Sequence, residues 1–147
     1  MKRLLSAIGL TVIALTLSAC GGNGNTTPNQ PPCGSPAGTT VALVYPAPGS
    51  TGITTNPGQV IIGSTTALPA SWNVVLAASP GNIAGGTVAT TTPPFPTPNQ
   101  TPSFPNPQYQ SSSIASGALQ GNVLYTAFIN DTSSNCTPSV SVGSFHT

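Results

Sequence analysis

Ser71-Trp72-Asn73-Val74-Val75-Leu76-Ala77-Ala78 alternates at period two, with Trp72, Val74 and Leu76 on one face of an extended chain and Asn73 and Val75 on the other. That pattern describes a strand with one face toward a core and predicts that Trp72 anchors it. The competing reading is an exposed Trp72 that offers a flat platform to a ligand. On either side, short runs rich in Val, Ile, Thr and aromatics are separated by Pro, Gly and Asn clusters at intervals of roughly 10 to 15 residues, and none sustains a helical period. Strands are predicted at Thr39–Tyr45, Gln59–Thr65, Ser71–Ala78, Gly85–Thr92, Tyr109–Ala115, Val123–Asn130 and Ser139–His146. About seven strands in about 110 residues favour an all-β antiparallel sandwich.

The chain has 147 residues, with 17 Pro and 16 Gly, and is 37% hydrophobic. Disordered chains combine low hydrophobicity with high net charge, and this one has neither. Its charged side chains are Lys2, Arg3 and Asp131, with His146 as its one imidazole. Nucleic-acid binding needs several cations to release counterions from phosphates; beyond Arg3 there are none, and that class is excluded. One carboxylate side chain also excludes a two-carboxylate glycosidase and a calcium cage. A Ser-His-Asp arrangement can be drawn only from Asp131, His146 and a serine, and no serine sits in a nucleophile-elbow motif. Asp131 in Asn130-Asp131-Thr132 reads as a turn former and His146 as a strand residue. Cys33, Cys136 and His146 lack the paired close spacing of zinc ligands. The chain is expected not to be an enzyme and to hold no cofactor or metal.

Met1-Lys2-Arg3 precedes a mostly apolar run from Leu4 to Leu17. A cationic start and about 14 apolar residues make an export signal, too short for the roughly 20 residues of a membrane span. The run closes on Leu17-Ser18-Ala19-Cys20, which resembles the lipobox of bacterial lipoproteins. The resemblance implies cleavage before Cys20, diacylglycerol on its sulfur, acylation of its new amine, and attachment to a membrane of the bacterial cell envelope. Gly21 after the cysteine resembles lipoproteins sorted to the outer membrane where there is one. The signal then covers 1–19, and lipidated Cys20 begins a tether of Gly, Asn, Thr, Pro, Gln and Ser that ends at 38. The folded domain occupies 39–147. Export leaves Cys33 and Cys136 as an even pair where disulfides persist. Joined, they close a loop of about 100 residues, worth up to ~4.7 kcal/mol before native strain; two free thiols are the alternative.

Leu119-Gln120-Gly121-Asn122-Val123-Leu124-Tyr125 places a Leu six residues before a Tyr at the start of a strand. It resembles the tyrosine corner of fibronectin type III and other immunoglobulin-like domains, in which the hydroxyl bonds back to the preceding backbone. Pro46-Ala47-Pro48-Gly49-Ser50-Thr51-Gly52-Ile53 is similar to the opening of many bacterial Ig-like domains, and Gly143-Ser144-Phe145-His146-Thr147 to their closing strand. His146, Gly121 and Val123 depart from the usual residues. The resemblance implies a seven-strand Ig-like sandwich, with Cys33, Cys136 and the long connection from about Pro93 to Gln108 at one end.

That connection repeats Pro94-Phe95-Pro96-Thr97-Pro98-Asn99-Gln100 as Ser103-Phe104-Pro105-Asn106-Pro107-Gln108. Proline at this density excludes helix and inner strand and favours extended segments. Phe95, Phe104 and Tyr109 either form an outward contact surface for an envelope protein or a glycan, or staple the loop to the sandwich; leaving each phenylalanine in water forgoes roughly 1.5 to 3 kcal/mol. The expectation is a non-catalytic structural or protein-interaction module on a lipid anchor. A carbohydrate-binding module that stacks sugars on Tyr45, Trp72, Tyr109 or the loop phenylalanines is the alternative.

Overall fold

A computed structural model describes residues 38–78, 81–133 and 140–147. Cys20, Cys33 and Cys136, with the expected signal and nearly all of the tether, lie outside the described residues, as do the lipid and disulfide expectations attached to them. The strands are β1 Val41–Tyr45, β2 Gln59–Ser64, β3 Trp72–Ala78, β4 Gly81–Thr87, β5 Ala89–Thr90, β6 Gln108–Ser113, β7 Leu124–Asp131 and β8 Val140–His146. They form two four-stranded sheets, β1-β2-β6-β5 and β4-β3-β7-β8, and every pairing is antiparallel. The expected all-β sandwich is the observed one, and the order matches the ABED and CFG sheets of immunoglobulin-type folds with β4 added beside β3.

One predicted strand divides. Gly85–Thr92 was expected as a single element, but β4 ends at Thr87 in one sheet and β5 starts at Ala89 in the other, with Val88 buried at the crossing. Among the described residues the strand count is eight for that reason.

Alternation builds the core. Trp72, Val74 and Leu76 of β3 are buried, with Trp72 only 6% exposed, and they meet Tyr125, Ala127 and Ile129 of β7 and Phe145 of β8 within the same sheet. Leu43, Val60 and Ile62 face them from the other sheet. Tyr125 and Phe145 stack with centroids 5.8 Å apart. Trp72 is thus the core anchor. Gln110 of β6 is also buried, and its side-chain amide accepts from Leu68 N–H (2.7 Å) and donates to Leu68 C=O (3.1 Å). An interior glutamine satisfied at both ends closes the loop before β3 like an extra ladder rung.

After β1 the chain crosses to the other sheet. Gly49 N–H donates to Ser144 C=O (2.8 Å), His146 N–H to Ser50 C=O (2.8 Å) and Ile53 N–H to His146 C=O (3.1 Å), which covers the outer edge of β8. Covered edges do not template pairing with other chains.

Candidate functional site

The connection between β5 and β6, residues 91–107, was expected to stand at one end of the sandwich. It lies instead against the outer face of β1, β2 and β6. The physical reason is a second apolar cluster on that face, in which Val44, Tyr45 and Ile61 are buried and Phe95 and Tyr109 pack against them. Phe95 meets Tyr109 edge to face, centroids 4.8 Å apart, a geometry that adds ~0.5 to 1.5 kcal/mol beyond burial. Both rings are half-buried, as is Phe104.

Hydrogen bonds from backbone and side chains hold the loop as well. Gln100 donates its backbone N–H to Val44 C=O and its side-chain Nε2 to Leu43 C=O, both at 3.0 Å, and Ala47 N–H donates to Pro98 C=O at 2.9 Å. Asn99 Nδ2 donates to Pro96 C=O at 3.0 Å and, at 3.4 Å, to Phe95 C=O. Gly63 completes the seat: a Cβ there would sit 2.7 Å from Pro102 Cγ, so only glycine lets the buried Pro102 lie on the sheet. Phe95 therefore staples the loop, and the outward side of residues 91–107 is a ridge mostly of prolines and threonines, with Asn99, Gln100, Ser103 and Asn106 also exposed.

At the tyrosine corner a shallow depression of about 190 Å³ is lined by Ala78, Asn82, Ile83, Ala118, Gln120 and Tyr125, among others. The Tyr125 hydroxyl in it already accepts from Gln120 N–H at 2.8 Å. The remaining polar groups there are neutral amides, which can orient a ligand but not exchange protons with it.

Asp131 and His146 are not brought together. His146 pairs with Leu124 at the start of β7 while Asp131 ends that strand opposite Trp72, about seven residues or ~23 Å away. Asp131 Oδ1 accepts from Ser133 N–H (2.9 Å) and Ser133 Oγ (2.7 Å), and these bonds hold its carboxyl below its ordinary value. It caps a turn, as its sequence context suggests. His146 Nδ1 lies 2.8 Å from Thr147 C=O.

Of the aromatics offered as sugar platforms, Trp72 and Tyr45 are buried, 6% and 5% exposed, and cannot stack on a glycan. Burial also pushes the Tyr45 phenol upward. Sequence reasoning missed Gly63, Gln100 and Pro102; nothing local marks them, because each acts on a partner distant in the chain.

No protein family matches the chain, and neither a curated protein nor a solved structure does.

Proposed function

We propose that this protein is a lipid-anchored component of a bacterial cell envelope, with a non-catalytic Ig-like sandwich as a structural or protein-interaction module. The observation that carries the reading is the order Lys2-Arg3, apolar run, Leu17-Ser18-Ala19-Cys20 ahead of a sandwich whose first strand among the described residues begins at Val41. Between them lies a tether rich in Gly, Asn and Pro, which as a coil spans on the order of 25 Å. The module then stands off the membrane that holds its lipid. Its outward ridge on residues 91–107 is neutral and fixed to the sheet, and this pre-organisation limits the ordering cost a partner must overcome.

Fractionation tests it. The parent chain is expected in the membrane fraction and the Cys20→Ala variant in the soluble or secreted fraction; a Cys20→Ala chain retained in membranes like the parent would refute the anchor.

A further inference from the structure

From Thr92 to Pro102 the residues other than proline are Thr92, Phe95, Thr97, Asn99, Gln100 and Thr101. Three of these side chains are engaged with the protein. Phe95 packs on Tyr109, Asn99 bonds the carbonyls of Phe95 and Pro96, and Gln100 bonds Leu43. The other three are all threonines, all exposed, and each stands immediately before a proline: Thr92-Pro93, Thr97-Pro98 and Thr101-Pro102. Among the described residues none of the three hydroxyls has a hydrogen-bond partner, whereas Thr39, Thr126, Thr132 and Thr147 use theirs.

We infer that Thr92, Thr97 and Thr101 are O-glycosylation sites. Proline at the next position biases each threonine toward extended backbone and brings no N–H to compete for its hydroxyl. Threonine-rich segments interleaved with proline are the composition of O-glycosylated stalks. Here the loop is clamped to the sheet through Pro98, Gln100 and Pro102, so the three hydroxyls project from a fixed ridge. A benefit follows from composition. Charge keeps most protein surfaces hydrated and apart, and the domain has one carboxylate side chain and no lysine or arginine. Neutral sugar hydroxyls supply that hydration.

In the reaction, threonine Oγ1 bonds to the anomeric carbon of a phosphate-activated sugar. The bond from that carbon to the donor's phosphate breaks, the phosphate leaves with the electron pair, and the hydroxyl proton passes to a base of the transferase. Nothing is oxidised or reduced. Asn99-Gln100-Thr101 also spells an N-glycosylation acceptor, but the Asn99 amide is spent on two carbonyls; the sugar belongs on Thr101.

The inference rests on the export reading, because envelope transferases meet exported chains. The test is mass spectrometry of the full chain purified from its native source. Trypsin finds no site beyond Arg3, so chymotrypsin is used, and Phe95 and Phe104 resist it because proline follows each. The peptide ending at Tyr109 is expected to be heavier by whole sugar residues, located by electron-transfer fragmentation on Thr92, Thr97 and Thr101, with Asn99 bare. The shift should vanish in a Thr92→Val, Thr97→Val, Thr101→Val variant. Unmodified threonines, or sugar confined to other residues, overturn the inference. The N-terminal peptide from the same digest separates the two readings: bare threonines on a chain lacking residues 1–19 leave export standing, and bare threonines on a chain retaining them overturn both.

Discussion

The backbone N–H of Gln120 donates a 2.8 Å hydrogen bond to the hydroxyl of Tyr125, five residues later at the start of β7. Leu119 beside it is buried, and Thr147 Oγ1 donates to Gln120 C=O at 2.6 Å. The connection between the sheets is thus pinned by both the tyrosine and the last residue. Tyr125→Phe keeps the ring in the core and removes only the acceptor. The expected cost is about 1 to 1.5 kcal/mol, a fall in Tm of about 5 °C. Thermal unfolding of the two proteins measures it, and an unchanged Tm would mean that water replaces the hydroxyl at no cost.

Gly63→Ala puts a methyl where Pro102 sits. Either the sheet or the loop must shift, and the loop is the softer element. A destabilisation of about 1 to 3 kcal/mol is expected, together with exchange of the Gln100 and Ala47 amides at least about tenfold faster, since both bond across the displaced contact. Hydrogen exchange by NMR reads those two amides directly; unchanged protection would show that the seat on Gly63 does not hold the loop.

Stability should be nearly flat from about pH 5 to 9. The Asp131 carboxyl lies below its ordinary 3.8 because Ser133 donates to it; a lowered pKa adds stability that is present above 3.8 and is lost as pH falls through the folded value. The Tyr45 phenol lies above its ordinary 10.0 because of burial; that contribution is present below 10.0 and is lost as pH rises toward the folded value. Both windows lie outside the neutral range. Urea midpoints at several pH values and salt concentrations check this. A loss of several kcal/mol between about pH 5 and 9 would contradict it and return attention to Asp131 and His146.

Much of the architecture is written in local alternation. The Trp72-Val74-Leu76 face became the core, and the Leu119 to Tyr125 spacing became a hydrogen-bonded corner. What stayed hidden depends on contacts between distant segments. Val60, Ile61 and Ile62 are buried in succession because the proline-rich loop covers the outer face of β2, and no period in the strand announces that cover. The break between β4 and β5 was missed because Thr87, Val88 and Thr90 to Thr92 favour extended chain on both sides of it. Close approaches between distant segments are equally invisible there: a Cβ at Gly85, inside β4 and three residues before the changeover at Val88, would lie 2.5 Å from Val74 C=O and 2.9 Å from Ser112 Oγ. The loop's clamps were illegible for the same reason, since Gln100 acts on Leu43 and Val44 across the fold.

Cys33 and Cys136 are expected to be joined in protein from its native compartment, since the proposed export and lipidation of Cys20 leave an even pair where disulfides persist. Non-reducing peptide mapping should give one linked pair that separates on reduction. Two alkylatable thiols in the unreduced protein would rule the bridge out.

Anchoring at Cys20 is tested most directly by the intact N-terminal peptide of the membrane-bound protein. Mass spectrometry should find a chain that begins at Cys20 and carries a thioether-linked diacylglycerol, with fatty acid incorporated from a labelled precursor and absent from Cys20→Ala. A mature chain that begins elsewhere, or an unlipidated Cys20 in the membrane fraction, would contradict it.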